Sequence, residues 1–317
     1  MTQINGDMRK VVGISETVFD ILFKDDKPMD GVPGGSVLNC MLSLGRTGTP
    51  ACLLSETGDD HVGRLIARFL TDNGVSADCV VFGAGKKSSV SLAFLDGNND
   101  AHYTFYKDYS SSQFQLKTPQ VNPEDIVIIG SYFAVIPSLR PQVKSFLEYA
   151  KSRGAIIYYD INFRPNHIAE KEMLMESIRE NMRLADIVRG SADDFELLFG
   201  HSCTDRLWNE EISPYCSSFI CTRGAGGTDL RTASLSEHYP SRSIQTVSTV
   251  GAGDSFNAGI LYGIIRCGFR QAGIADLGRD EWSRLIEFGT DFSSDVCQRT
   301  ENCISRELAA KYRTGVS

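Results

Sequence analysis

Between residues 126 and 191 short apolar runs alternate with amphipathic stretches of helical length, and few architectures accommodate that alternation. The segments 126–129, 155–159 and 187–188 read as strands, with helices over 138–150 and 171–184 between them. Strands this short and apolar have no solvent face, so they pair in parallel with helices on both sides of the sheet. In such sheets the polar residues that handle ligands collect just beyond the C-terminal strand ends. The expected fold is therefore α/β, and 317 residues without a low-complexity linker are expected to form a single domain over 1–317.

Three polar groups occupy such strand ends. Asp160-Ile161-Asn162-Phe163-Arg164 puts an acid, an amide and a guanidinium at alternate positions past the 155–159 strand. Ser191-Ala192-Asp193-Asp194 follows the 187–188 strand, where helix capping by Ser191 is a sufficient alternative. Thr222-Arg223-Gly224-Ala225-Gly226-Gly227 follows a strand over 219–221 and is either a plain hairpin or a phosphate contact.

Two helix starts are rich in glycine. In Thr249-Val250-Gly251-Ala252-Gly253-Asp254-Ser255-Phe256, the apolar residues Phe256, Ile260, Leu261, Ile264 and Ile265 mark a helix that begins at the glycines. Its first turn presents unpaired N–H groups, so an anion can rest there, although Asp254 alone could be a simple cap. The helix end is expected to hold Asp254 ionised, so that it acts through position more than through a raised pKa. Pro33-Gly34-Gly35-Ser36 opens an earlier helix, with Asn39 one turn in. Gly34 and Gly35 let a ligand approach the backbone there, and a surface Asn39 is the plain alternative.

A second, smaller sheet is expected near the N-terminus. A first strand covers 10–14, and the run 16–23 continues with strand-type residues but places Asp20 on the same face as Val18 and Leu22. That acid is either a solvated edge residue or an acceptor for ligand hydroxyls. The segments 90–95 and 102–106 alternate around Asp96-Gly97-Asn98-Asn99, a hairpin signal. Paired with 16–23 they would make a lid, formed from about 16–33 and 88–110, with Lys107 at its end. Between the two halves, 51–55 reads as a strand and Asp59-Asp60 as the capped start of a helix.

Several classes are set aside. A net charge of −8 with no basic stripe argues against nucleic acid, and no apolar run is long enough to span a membrane. Nine cysteines without a C-x2-C pair suit reduced thiols, and no signal segment is apparent at the N-terminus, so the chain is expected in the cytoplasm. Gly83-Ala84-Gly85-Lys86-Lys87-Ser88 lacks the glycine and hydroxyl spacing of a Walker loop, and Gly251-x-Gly253 has Phe256 where a dinucleotide fingerprint needs its third glycine.

Taken in order, the double glycine, Asp-x-Asn-x-Arg, Thr-x-Gly-x-x-Gly and Gly-Ala-Gly-Asp make this sequence resemble the ribokinase-like (PfkB) carbohydrate kinases over nearly its whole length. The resemblance, to the fructokinase and 2-keto-3-deoxygluconate kinase branches in particular, implies a three-layer α/β sandwich with a β lid, ATP as donor, Mg2+, and a sugar kinase with fructose or a related ketose as the leading substrate, 2-keto-3-deoxygluconate the runner-up and a ribokinase or nucleoside kinase the third option. It makes Asp254 the catalytic base and Gly251, Ala252 and Gly253 the anion hole. It puts Asp20, Gly34, Gly35, Asn39, Lys107, Asp160, Asn162 and Arg164 on the sugar. It assigns Ser191, Thr222, Gly224, Gly227 and Thr249 to the nucleotide and Asp194 to the metal. Ser248 stands where the usual motif has Asp, which leaves a monovalent cation open. Family members often dimerise through the lid, and a homodimer is expected here. A non-catalytic sugar or nucleotide sensor is the rival of another class.

Overall fold

Strand β1 (Val11–Ile14) lies inside the main sheet with all four residues buried, as a strand without a solvent face must be. The structure, a computed structural model, describes residues 9–95, 101–106 and 116–313. From edge to edge the sheet runs β14 (Ser236–Tyr239), β13 (Thr228–Thr232), β12 (Ser218–Thr222), β11 (Ile187–Ser191), β10 (Ile156–Asp160), β9 (Ile126–Gly130), β1, β4 (Ala51–Gly58) and β5 (Val75–Ser76). A short strand, β6 (Val80–Gly83), pairs beside β4. Every pairing from β12 through β5 is parallel, and only β13 and β14 add antiparallel neighbours.

Alternation along each strand divides its residues between two cores. Val11, Ile126, Ile128, Ile156 and Tyr158 pack with helices α1 (Ser36–Arg46), α7 (Ala252–Arg266) and α8 (Arg279–Cys297). Val12, Val127, Ile129, Ile157 and Tyr159 face the other way, onto α3 (Arg140–Ser152), α4 (Lys171–Leu184) and α5 (Ala192–Phe199). The remaining helices are α2 (His61–Asp72), the short α6 (Thr204–Arg206) and α9 (Arg306–Arg313). The 138–150 helix starts two residues late, at Arg140, because Pro141 suits a helix's first turn.

The second sheet has four strands in the order β3 (Lys27–Gly34), β2 (Val18–Lys24), β7 (Val90–Leu95) and β8 (Ala101–Tyr106). The 16–23 segment does pair with the 90–95 strand, and it does so in parallel. Strand β3 is an addition to the sequence reading. Its hairpin turns at Asp25 and Asp26, both with φ in the left-handed region (50° and 60°), and Asp-Asp is a weaker turn signal than Asn-Gly. The proposed turn at 96–99 lies outside the described residues.

Asp60 joins the two sheets. Its Oδ1 caps α2 by accepting from Gly63 N–H at 2.9 Å and also takes the Ser88 hydroxyl at 2.6 Å, while Oδ2 accepts from Ser88 N–H at 2.9 Å. Burial raises its pKa, but the hydrogen bonds from Ser88 and Gly63 outweigh that and bring it to about 2. A folded pKa below the unfolded one stabilises the fold above about pH 4, and the gain vanishes as pH falls through 2. Asp60→Ala is therefore expected to cost about 2 kcal/mol at pH 7 and about half of that at pH 3, read from urea midpoints at the two pH values.

Candidate active site

Helix α7 can begin where it does because residue 251 is glycine. Gly251 has φ 78°, and a Cβ there would sit 2.5 Å from the Asn302 carbonyl. The turn then bonds Ala252 N–H to Thr249 O at 3.2 Å and Ser255 N–H to Gly251 O at 2.9 Å. Among the described residues the N–H groups of Gly253 and Asp254 are left without an acceptor, the usual state of a first helical turn. They provide a place for an anion.

Asp254 stands beside that place, half-buried, with Oδ2 accepting from Asn39 Nδ2 at 2.9 Å. Burial pushes its carboxyl up to about 7; the Asn39 bond opposes this, Asp160 adds to it, and Arg164 and Arg189 oppose it. The expectation of a carboxylate held ionised by the helix end is thus corrected: removal from water outweighs the helix end. Asn39 itself is buried, and its Oδ1 has no partner among the described residues.

The double glycine is explained by β2. A Cβ on Gly34 would fall 2.2 Å from Asp20 Oδ2, so only glycine lets Asp20 lie across the end of β3. Asp20 is half-buried and accepts from the Ser91 hydroxyl of β7, which fixes it in the small sheet. Ser36, directly after the glycines, shares a hydrogen bond of 2.7 Å with Ser131 at the end of β9. Asn162 Nδ2 donates to the same Ser131 hydroxyl. Ser131 and Asn162 both have positive φ, 58° and 39°, so two adjacent strand ends bend into left-handed backbone and meet at one hydroxyl.

Two of the expected site acids are buried. Asp160 is 1% exposed, and both oxygens are occupied: Oδ1 by Arg189 Nη1 at 3.0 Å and Oδ2 by Asn257 Nδ2 at 2.7 Å. It ties β10 to β11 and α7. Asp194 is 4% exposed, with Oδ2 accepting from both the N–H and the hydroxyl of Ser191 at 2.7 Å, and Ser191 Oγ accepts from Asp194 N–H. These bonds form a closed capping box at the start of α5. Among the described residues no cluster of three or more His, Cys, Asp or Glu is placed to hold a cation.

Arg164 is exposed and close enough to Asp254 to bear on its charge. Thr222 ends β12 and accepts from Arg189 Nη2 at 2.6 Å, and the exposed turn Gly224–Gly226 follows, with Gly227 closing it onto Arg223. Arg223 is turned away, bound to Asp229 at 2.7 Å. Lys107 lies outside the described residues. Lys86 of the rejected Walker-like run pairs with Glu56. Arg189 and Asn257 were not singled out from sequence, although a charge in the strand Ile187–Ser191 and an amide within the apolar helix α7 are both readable anomalies.

Residues 8–308 match the family model described as pfkB family carbohydrate kinase. Fructokinase-1 of Oryza sativa subsp. japonica is 28% identical over 243 residues, 74% of this chain and 74% of its own. Aminoimidazole riboside kinase from Salmonella enterica, complexed with aminoimidazole riboside and an ATP analog, superposes with a TM-score of 0.82 at 21% identity, covering 96% of this chain and 100% of that one. Fructokinase from Vibrio cholerae O395, in its fructose, ADP and calcium ion bound form, gives a TM-score of 0.82 at 20% identity, covering 96% and 99%. The fold is ribokinase-like: a mostly parallel sheet between helical layers, with a second small sheet. A family match running from residue 8 to residue 308 on this fold makes the chain a member of the pfkB family of carbohydrate kinases.

Proposed function

We propose that this chain transfers the γ-phosphoryl group of ATP to a hydroxyl of fructose or a related ketose, with Asp254 as general base. One observation carries the proposal: Asp254 stands beside two unpaired N–H groups at the start of α7, held by Asn39 of α1. The sugar hydroxyl gives its proton to Asp254 as its oxygen attacks the γ-phosphorus, and the bond to the bridging oxygen of ADP breaks. Phosphoryl transfer needs alignment and charge stabilisation more than covalent help, and the Gly253 and Asp254 N–H groups supply the latter. Asn39 Oδ1, buried and unpartnered among the described residues, is an acceptor suited to a sugar hydroxyl, as is Asp20. Gly224–Gly226 is open to receive the nucleotide. The divalent cation arrives with the nucleotide as Mg–ATP and neutralises phosphate charge, a mode that needs few protein ligands.

The fructokinase named above supports the ketose. Exposed Arg164, whose side chain has no hydrogen bond or ion pair among the described residues, favours a sugar acid such as 2-keto-3-deoxygluconate as the second reading. Nine free thiols suit a reducing cytoplasm. Among the described residues, no helix is long and apolar enough to cross a membrane. Phe94, Phe105 and Tyr106 are exposed on the small sheet, at 36%, 43% and 59%, which supports pairing of two copies through the lid.

The test is ADP release with fructose, ribose, 2-keto-3-deoxygluconate, adenosine and aminoimidazole riboside. Fructose is expected to give the highest kcat/KM; release with none of them would favour a sensor. A further result is expected from pH. The base works ionised, and its carboxyl titrates near 7, so kcat/KM falls about tenfold per pH unit below that value. A flat profile between pH 5 and 8 would remove Asp254 as the base.

A further inference from the structure

Arg189 is a buried charge that the chemistry above leaves unused. It lies on β11, opposite Asp160 of β10 and Ile220 of β12, on the strand face that turns toward α7. It is 5% exposed. One guanidinium nitrogen donates to Asp160 at 3.0 Å and the other to Thr222 at 2.6 Å. A Cβ on Gly253 would lie 2.8 and 3.1 Å from those same two nitrogens, so the guanidinium sits directly beneath the anion-binding turn. The line continues through Asn257 of α7, which donates to Asp160 at 2.7 Å and accepts from the Tyr158 hydroxyl at 2.9 Å.

A buried ion pair is a poor source of stability, since desolvation cancels much of the attraction. Here the burial is also imperfect, because Nε of Arg189 has no partner among the described residues. An arrangement that costs stability and joins the ends of β10 and β12 to the start of α7 calls for a role in the site. Arg189 ties the loop after β10, which bears Asn162 and Arg164, to the strand that delivers the nucleotide turn. It also places a positive charge behind the backbone that would face the transferring phosphoryl group.

Resting on the kinase reading above, we propose that Arg189 is a positioning residue for phosphoryl transfer. Its fork holds the acceptor-side and donor-side strand ends in register under α7, and its charge lies beneath the turn that carries Asp254. The groups facing Asp254 are Asn39 and the Cys40 thiol of α1, Asp160 of β10, Arg164 beyond it, and Arg189. Asp160 raises the carboxyl's proton affinity and the two arginines lower it, which gives substitutions of opposite sign.

The experiment is the pH profile of kcat/KM with Mg–ATP and the accepted sugar, for the native chain, Arg189→Met, Arg189→Lys, Asp160→Asn and Asp254→Asn. Arg189→Met is expected to lower kcat about 10²-fold, with KM for the sugar changed less than about threefold, and to move the acid limb up by about 1 pH unit. Asp160→Asn is expected to move that limb down. Arg189→Lys keeps the charge but not the fork. It is expected to leave the limb in place while kcat falls about tenfold. A merely structural role would move no limb, or move both limbs the same way, and either result overturns the proposal. So does full kcat in Arg189→Lys. If Arg189→Met does not fold, Asp160→Asn and Arg189→Lys still decide it. Undiminished turnover in Asp254→Asn would instead sink the kinase assignment of the base, which separates the two failures.

Discussion

Asp254→Asn lowers kcat/KM by about 10²–10⁴-fold and at the same time raises the melting temperature by about 2–4 °C at pH 8. The loss follows from the chemistry, since an amide cannot accept the hydroxyl proton. The gain follows from the environment. The folded pKa near 7 lies above the unfolded value of 3.8, because burial and Asp160 penalise the charged form more than Asn39, Arg164 and Arg189 favour it. A raised pKa gives stability that is complete below about pH 4 and lost as pH rises through 7, so the ionised carboxylate strains the fold at working pH. Asparagine is uncharged throughout and can still accept from Asn39. The stabilisation is therefore expected to shrink between pH 8 and pH 5, measured by thermal melts of both proteins. A lower melting temperature for the variant at pH 8 would show that the native site holds its charge at no cost.

Gly253→Ala is expected to lower kcat by about 10²–10³-fold, the usual loss for one anion-hole donor, with little change in the KM for sugar. The added methyl would lie 2.8 Å from an Arg189 nitrogen, and neither neighbour can yield easily. The guanidinium is bound to Asp160 and Thr222, and the helix start is bound through Thr249 and Gly251. Either the fork leaves one of its partners or the first turn of α7 lifts, and both outcomes displace the N–H groups. Overpacking of this kind also destabilises by about 1–3 kcal/mol. Gly273→Ala is the control, because a Cβ there meets nothing within 4 Å. Its kcat and melting temperature should stay at the native values. Steady-state kinetics in the presence of saturating Mg–ATP separates the kcat effect from any change in nucleotide affinity.

The main sheet was legible because its cause is local. Strands such as β1 and β9 are apolar on both faces, and only a covered parallel sheet gives such runs a place. The glycine-rich starts of α1 and α7 were legible too, since a turn without side chains followed by a helical stripe has few other meanings. Strand β3 was not, because Asp25-Asp26 hides a hairpin in an exposed, polar stretch that pairs with β2. Asp160 and Asp194 show the same limit within the site. An acid past a strand end is equally compatible with a ligand contact, a buried ion pair and a capping box, and no spacing rule tells them apart.

What the order of residues determined alone was the succession of strands and helices, and the presence of polar groups at the strand ends. These depend on periodicity and on backbone freedom at particular glycines, which are properties of short segments. Only the tertiary structure decided which of those groups are buried and what they bond, that burial pushes Asp254 up to about 7, and that Arg189 lies beneath Gly253. The reason is physical: hydrogen-bond partners and dielectric surroundings are set by residues far away in the chain. Arg189, Asp160, Thr222 and Gly253 come from four separate elements, and their charges and contacts acquire meaning only when the sheet brings them within 3 Å or so of one another.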